Sequence, residues 1–287
     1  MASELSLQVR HSGIWQLTSA VLSSAGQVLV LDPGYFPREL AELQAVAESA
    51  GEVQAVVFSH GHWDHVVGWR AFPTSRVLGS ESLVEAITGH SERASRDLAE
   101  AADFDRRWYI DRGAPLAWPP ASALKALHDG QTLSLGDATL QALRLPGHSP
   151  DGLGLLASQA GLLIVGDYLS PCEIPFVADL TAYRATLQRL LTLLPQVERV
   201  VPGHGPLLSA AQARDIALAD LRYLDALADC VDHIPDGPAA AYQLALSVPL
   251  PRAASIPEMQ EHHRDNLQHA GLTAGGGAVT LCARDDG

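Results

Sequence analysis

The sequence predicts an α+β fold in which two β-sheets face each other and helices cover both outer faces, an αββα sandwich. Strand–helix units recur in each half of the chain, which favours two sheets with helices outside. Several apolar strands end in loops rich in histidine, so these loops would gather along one edge, between the sheets. Helical patterns separated by Pro and Gly breaks follow. We therefore expect a larger domain that carries these loops over residues 1–208 and a small, mainly helical subdomain over residues 209–287.

The composition of the chain limits the classes of function. With 287 residues, 47% apolar and 18% charged, it has a globular composition and room for a sizeable core. Its net charge of −14 disfavours a nucleic-acid partner, and the partner we expect is a small-molecule substrate. The longest apolar runs are strand-sized, which predicts no membrane span. Three widely spaced cysteines and no visible signal peptide favour a cytoplasmic protein.

The first 50 residues predict three strands and a helix. Apolar stretches at 5–10, 14–22 and 27–31 are separated by Ser/Gly turns, as in an antiparallel meander. Pro37 opens an amphipathic helix that extends to about residue 50. Asp32, between the third strand and this helix, has two interpretations: a turn-forming Asp before Pro-Gly, or a carboxylate that orients a metal-binding histidine.

The stretch around which the chain is organised is residues 53–68. An apolar, β-branched run predicts a buried strand, and it leads directly into the sequence SHGHWDH at 59–65. Four side chains that bind metals well lie within six positions there: His60, His62, Asp64 and His65. Imidazole and carboxylate ligands suit Zn²⁺, Mn²⁺ or iron, so this loop predicts a metal site.

Three further strand ends carry residues of the same kind. A strand at 138–145 leads into PGHSPDG (146–152), which contains His148. An apolar strand at 162–165 ends in Gly-Asp, and the carboxylate of Asp167 needs a partner because burying it unpaired is costly. A short strand at 199–201 leads into PGHGP (202–206), which contains His204.

Together, these four motifs resemble those of the metallo-β-lactamase-fold superfamily, in particular its glyoxalase II-like branch. The resemblance covers roughly residues 14–206 and departs from the family at Asp151, where a glycine usually stands. It implies a four-layer αββα sandwich with two zinc ions per chain, iron or manganese being alternatives. The implied ligands are His60, His62 and His148 for one ion, Asp64, His65 and His204 for the other, and Asp167 bridging them.

The resemblance also implies a chemistry. A hydroxide shared by the two ions would attack an ester-like bond in a small molecule, such as a thioester or lactone, and Asp64 is the candidate catalytic residue that steers it. Two alternatives stay open: a mononuclear iron oxidoreductase of the persulfide dioxygenase type, and a phosphodiesterase or nuclease. We expect substrate choice to lie in residues 91–123, in the loop at 35–36 and at Tyr168.

The C-terminal segment predicts helices at about 209–233, 238–247 and 255–270, then a Gly-rich turn and a short strand at 278–282. This pattern resembles the reduced winged-helix tail of some superfamily hydrolases. Because residues 210–287 hold 5 Lys and Arg against 11 Asp and Glu, packing or homodimer contacts are favoured over DNA binding. His262 and His263 are expected to be solvent-exposed helix residues and not extra ligands.

Overall fold

Two six-stranded sheets form the centre of the computed structural model, which describes residues 5–234 and 237–273. The first sheet has the order β1-β2-β3-β4-β5-β6, antiparallel from β1 to β3 and parallel from β3 to β6. Its strands are β1 (Ser6–His11), β2 (Thr18–Ser24), β3 (Gln27–Leu31), β4 (Glu52–Val57), β5 (Arg76–Ser80) and β6 (Leu124–Leu127).

The second sheet has the order β12-β11-β10-β9-β8-β7 and is antiparallel except for the pair β10 and β11. Its strands are β7 (Thr132–Leu135), β8 (Ala138–Arg144), β9 (Leu153–Ala157), β10 (Leu162–Ile164), β11 (Arg199–Val201) and β12 (Leu208–Ser209). One bridge, between Leu17 and His204, joins the segment before β2 to the loop after β11. The two halves of the chain therefore meet beside a predicted ligand.

Helices cover the outer faces of both sheets. They are α1 (Pro37–Ala50), α2 (Trp63–Val66), α3 (Glu81–Thr88), α4 (Glu92–Trp108), α5 (Leu180–Leu193), α6 (Ala210–Asp232), α7 (Pro238–Leu246) and α8 (Pro257–His269). One hydrophobic cluster joins α1, α3 and α4 to the first sheet. Another joins the four helices α5, α6, α7 and α8 to the second sheet. A third cluster lies between the sheets and includes Leu31, Val57, Leu140, Leu155 and Ile164. The predicted four-layer αββα sandwich is confirmed.

Most predicted elements agree with the structure, and the main differences are one strand that begins later and elements that were missed. The strand predicted at 14–22 begins only at Thr18, because Trp15 and Gln16 adopt positive φ angles of 46° and 55°, which no strand accommodates. Strands β6 and β12 were missed, since four residues after a Pro-rich stretch and two residues before a helix carry too short a pattern. The one-turn helix α2 inside the ligand motif was also missed, because the residues there were assigned to a loop.

The C-terminal helices share one hydrophobic cluster with the second sheet. Leu224 of α6 and Leu267 of α8 belong to the same buried cluster as Leu187 of α5 and Val200 of β11. The boundary between residues 208 and 209 and the winged-helix-like character stay predictions, and the strand predicted at 278–282 lies outside the described residues. In the part of the chain that is described, no helix has the length and apolar character needed to cross a membrane.

Candidate metal centre

The loops that carry the predicted ligands all follow strands at one edge of the sandwich. His60 and His62 follow β4, and Asp64 and His65 lie on α2. The other three ligands follow strands of the second sheet, His148 after β8, Asp167 after β10 and His204 after β11. A backbone hydrogen bond from Leu153 to Ser59 (2.6 Å) ties the two sheets together at this edge. The fold thus brings all seven residues into one place.

A first group of donor atoms consists of His60, His62, His148 and Asp167, all within 4.8 Å of one another. Nε2 of His60 lies 2.9 Å from Nδ1 of His62, and Nε2 of His148 lies 3.2 and 3.1 Å from these two atoms. Oδ2 of Asp167 lies 3.3 Å from His148 Nε2. Four ligands at tetrahedral positions about 2.0–2.1 Å from an ion would be separated by about 3.3 Å, so this spacing fits a coordination sphere.

A second group consists of Asp64, His65 and His204. Oδ2 of Asp64 lies 3.5 Å from His65 Nε2 and 3.6 Å from His204 Nε2. Asp167 faces this group too, since its Oδ1 is 3.3 Å from His65 Nε2 and its Oδ2 is 3.4 Å from His204 Nε2. Asp167 is therefore placed between the two groups, as a bridging ligand would be.

Two buried atoms at the contact between the groups have no hydrogen-bond partner. They are His65 Nε2 and Asp167 Oδ1, which approach each other without hydrogen-bond alignment. An unpaired buried polar atom costs about 1–3 kcal/mol, more for a charged group, and a bound cation would satisfy both atoms at once. The residues present therefore fit divalent metal ions, because imidazole nitrogens and carboxylate oxygens are the donors such ions prefer.

Four of the imidazoles are oriented by a contact at Nδ1, which leaves Nε2 facing the centre. In each pair the contact to the histidine Nδ1 is 2.9 to 3.0 Å. The pairs are His60 with Ser59 Oγ, His65 with Asp32 Oδ2, His148 with the Phe176 carbonyl, and His204 with the Trp15 carbonyl. Such contacts fix the ring and the tautomer of a metal-binding histidine. Asp32 thus contacts a predicted ligand, and it also adopts a positive φ of 45°, as a turn residue would.

The charges of the centre strongly shift its pKa values. Burial alone would raise the pKa of Asp167, but the imidazoles of His65, His204 and His60 hold it well below its usual range. Burial lowers the pKa of His204, yet Asp167 and the neighbouring carboxylates outweigh it and raise that pKa to about 10. Desolvation by burial lowers the pKa values of His60 and His62 well below the usual value of an imidazole.

The Pro-Gly-His motifs require glycine for close approach. A Cβ at Gly203 would lie 2.0 Å from Asp167 Oδ1, and one at Gly147 would lie 2.3 Å from the backbone of Tyr183. Gly147 also has a φ of 127°, which side chains rarely adopt. The glycines therefore let the ligand loops pack against neighbouring backbone.

Asp151, where the motif departs from the family, is buried in a polar contact that sequence reasoning missed. Its Oδ1 accepts hydrogen bonds from Ser149 Oγ (2.6 Å) and from Arg93 of α4 (3.1 Å). Its Oδ2 has no partner, and a Cβ at Gly61 would lie 2.8 Å from it. Asp151 thus connects α4 to the loop that carries His148, and it lies beside the loop that carries His60 and His62. The charge on Arg93 was visible in the sequence, but no local pattern connects it to residue 151.

The residues expected to set substrate choice differ in their burial. Tyr35 and Tyr168 are buried, at 0% and 2% exposed. The Tyr168 hydroxyl accepts from the His148 backbone N–H and donates to the Pro146 carbonyl. Helix α4, within the 91–123 segment, does lie beside the centre, since the ring of Phe104 is 5.1 Å from that of Trp63.

The expectation for the C-terminal histidines was wrong for His263. This side chain is 3% exposed and contacts the Tyr223 hydroxyl at 2.8 Å, because α8 turns that face toward α6. His262 is partly exposed and stacks on Phe176 with ring centroids 3.8 Å apart. Neither belongs to a group of metal-ligating side chains among the described residues.

Glu173 was not singled out by sequence reasoning, because it lies in no motif. Its carboxylate lies 3.8 Å from His204 Nδ1, and burial raises its pKa to about 7 while His204 opposes the rise. A buried acidic residue beside a predicted ligand can be found only from the fold.

Comparison with known proteins defines the class. The family model described as the metallo-beta-lactamase superfamily matches residues 13–204, and the chain belongs to this superfamily. It is 28% identical to acyl-coenzyme A thioesterase MBLAC2 of Gallus gallus over 66% of this chain and 72% of the relative. It is 24% identical to atrochrysone carboxyl ACP thioesterase of Aspergillus fumigatus over 68% of this chain and 52% of that relative, about half its length.

Solved structures share the fold. A metallo-beta-lactamase family protein from Thermus thermophilus, TTHA1429, is 23% identical, with a TM-score of 0.62 over 93% of this chain and 94% of that one. TTHA1623, solved in a di-iron-bound form, is 25% identical, with a TM-score of 0.52 over 71% of this chain and 96% of that one.

Proposed function

We propose that the protein is a metal-dependent hydrolase that cleaves a thioester carrying an apolar acyl group. The observation that carries this proposal is the convergence of two ligand groups on Asp167, with unpaired buried atoms on His65 and Asp167 at their junction. The two relatives named as thioesterases support the thioester among the ester-like bonds, and superfamily membership supports hydrolysis.

The side chains of the centre have distinct tasks in this reaction. When bound, two divalent cations supply Lewis acidity and lower the pKa of a water molecule to around 7. The imidazoles would hold these ions through Nε2, or through Nδ1 for His62. Contacts at Nδ1 keep the rings of the other four histidines in place. Asp64 accepts a hydrogen bond from the attacking water and so aims it at the thioester carbonyl. At 5% exposure, Asp64 is shielded from bulk water, which strengthens this interaction.

An aromatic surface beside the centre supports an apolar acyl group. Trp63 lies between two ligands in the sequence, and its ring is 5.3 Å from that of Trp15, whose carbonyl contacts His204. The ring of Phe104 is 6.0 Å from Trp15 and 6.2 Å from Trp108. Trp15 and Trp108 are 51% and 59% exposed, so their rings are open to a ligand. Large exposed apolar side chains grouped together mark a binding surface.

The proposal is tested on the protein as purified, without added metal. We expect about two divalent metal ions per chain by elemental analysis, and hydrolysis of acyl-pantetheine thioesters followed by thiol release with a chromogenic reagent. The variant His62→Ala should lose activity at least about 100-fold and keep its fold, because it changes a loop and not the core. Wild-type turnover by His62→Ala would overturn the metal-dependent mechanism.

Substrate class is tested separately. We expect Trp15→Ala to raise KM for a long-chain acyl thioester, because the long chain reaches the aromatic surface. The KM for an acetyl thioester should stay nearly unchanged, because the acetyl group is too short to reach it. Trp118→Ala, which changes a tryptophan packed against α4 with its Nε1 bonded to the Ala94 carbonyl, is the control for general loss of aromatic packing. Equal effects on both substrates would contradict the apolar acyl group.

A further inference from the structure

The segment Glu173–Val177 joins the metal centre to the C-terminal helices. It lies between β10 and α5 and has no helix or strand of its own. The carbonyl of Phe176 contacts Nδ1 of His148 at 3.0 Å, and the carboxylate of Glu173 faces His204. The position of this irregular segment therefore affects how His148 is held.

A single side chain from α8 holds the segment on both sides of Phe176. Nδ2 of Asn266 donates to the Pro175 carbonyl at 2.7 Å, and Oδ1 accepts from the Val177 N–H at 2.8 Å. Asn266 is 2% exposed, so water does not compete for these bonds. Because one bond needs a donor and the other an acceptor, a single orientation of the amide satisfies both.

The amide is itself held by a network within the C-terminal helices. Its Nδ2 also donates to the Tyr223 hydroxyl (3.0 Å), which lies 2.8 Å from His263 Nδ1. The other nitrogen of His263, Nε2, lies 3.2 Å from the Ala245 carbonyl, so it donates there and Nδ1 accepts from Tyr223. Each group in this chain has one consistent role, which leaves the Asn266 amide little freedom to rotate.

A second C-terminal side chain holds the start of the segment. Arg252 donates to the Glu173 carbonyl at 2.6 Å and forms an ion pair with the buried carboxylate of Asp220. Both ends of Glu173–Val177 are thus bound by residues that follow the part of the chain matched by the superfamily model, which ends at residue 204.

We propose that Asn266 is a positioning residue for His148: through the peptide units on either side of Phe176, it fixes the carbonyl that orients the imidazole. The C-terminal helices then complete the metal centre and are not an independent module. This inference rests on the proposed metal centre. Outer partners of metal-binding histidines typically contribute a factor of 10–100 in metal affinity, and we expect an effect in this range.

The test compares Asn266→Ala with wild type in two measurements that do not use activity. The first is Zn²⁺ affinity, by competition with a chromophoric chelator at a temperature well below unfolding. We expect one of two ions to bind about 10–100-fold more weakly. The second is amide hydrogen exchange of the peptide containing Val177, which should speed up at least about tenfold because its N–H loses its acceptor.

Two matched variants keep the test decisive. Gln260→Ala removes a neighbouring amide on α8 that bonds to the Ala254 carbonyl, and it should behave as wild type in both measurements. Asn266→Asp keeps the acceptor for Val177 but places a carboxylate oxygen against the Pro175 carbonyl, so it should also weaken one ion. If Asn266→Ala does not fold, Asn266→Asp decides the question.

Wild-type affinity for both ions in the folded Asn266 variant would overturn the inference. A wild-type protein that binds no divalent cation would instead contradict the proposed function, so the two failures are distinguishable.

Discussion

Oδ2 of Asp32 lies 3.0 Å from His65 Nδ1, and Oδ1 of the same carboxylate accepts the backbone N–H of Ser59 at 2.7 Å. Both partners are buried, as is Asp32 at 0% exposure. One carboxylate thus connects the end of β3, the end of β4 and a predicted ligand. This position determines both the local backbone and the orientation of an imidazole.

Replacement of Asp32 should therefore affect stability and metal binding together. We expect Asp32→Ala to lower the free energy of unfolding by about 2–4 kcal/mol, because Ser59 N–H and His65 lose a buried partner and Ala disfavours the positive φ. Metal affinity should fall about 10–100-fold. Urea denaturation and chelator competition measure the two effects.

Asn at the same position separates these roles. Asp32→Asn tolerates the left-handed backbone and can still accept from Ser59, so it should lose less stability than the alanine variant. It has one acceptor oxygen in place of two, so the loss of metal affinity should persist. Wild-type affinity in Asp32→Asn would show that the His65 contact does not orient the ligand.

Removal of bound metal should destabilise the fold. Seven ionisable side chains converge at the centre, and the atoms left unpaired on His65 and Asp167 are buried. A ligand present at about 100 times its Kd stabilises the folded state by about 2.7 kcal/mol, so chelation should lower Tm by several degrees and metal readdition should restore it. The control is His148→Ala, whose Tm should respond less to the chelator. An equal response would contradict the ligand assignment of His148.

Gly203 should not tolerate a side chain. A methyl group there would meet Asp167 Oδ1 at 2.0 Å and the Gly166 carbonyl carbon at 2.9 Å, so it must displace the carboxylate of Asp167. We expect Gly203→Ala to cost about 1–3 kcal/mol of stability and to lower metal content per chain. Gly13→Ala, where a methyl group meets its neighbours at 3.5 Å or more, is the matched control. Full metal content in folded Gly203→Ala would argue against Asp167 as a ligand.

Asp97 on α4 should make stability depend on pH. Burial raises its pKa to about 7, although Arg93 opposes the rise. Between about pH 4 and about pH 7, Asp97 is deprotonated in the unfolded chain but still protonated in the folded chain. The stability of the folded state therefore falls as the pH rises through this range. Asp97→Asn cannot ionise, and its stability relative to wild type should therefore increase from about pH 4 to about pH 7, by up to about 4 kcal/mol.

Chemical denaturation at several pH values measures the difference in free energy of unfolding between Asp97→Asn and wild type. Contributions from all other titrating groups are common to the two proteins and cancel in this difference. Asp103→Asn changes an exposed carboxylate on the same helix, paired with Arg106, and should show no such trend. A constant difference between Asp97→Asn and wild type across this range would contradict a raised pKa at Asp97.

Much of the architecture follows from local patterns. Alternating and continuous apolar runs predicted most strands within a few residues, and Pro37 marked the start of α1. Where a pattern was too short, as in β6, or where backbone with positive φ interrupted it, as at Trp15, the sequence was misleading. A hydrophobic period can be recognised only when several consecutive residues share one backbone conformation. These segments contain too few such residues.

The ligand residues were equally visible, because each lies in a short motif at a strand end. Their metal-binding role stays a prediction, but their convergence follows from strand order. The supporting residues were not visible in the same way: Asn266 contacts a segment 89 positions earlier, and Arg93 contacts Asp151 across 58 positions. No local pattern encodes such a pair.

The sequence alone therefore determined the class of fold and the chemical identity of the candidate centre, because strand and loop patterns are local and histidine and aspartate donors have restricted uses. Only the tertiary structure decided that Asp167 lies between both ligand groups, that Tyr35 and His263 are buried, and that α8 reaches the loop behind His148. These relationships arise when two sheets and their outer helices pack together, and packing joins residues that the chain keeps far apart.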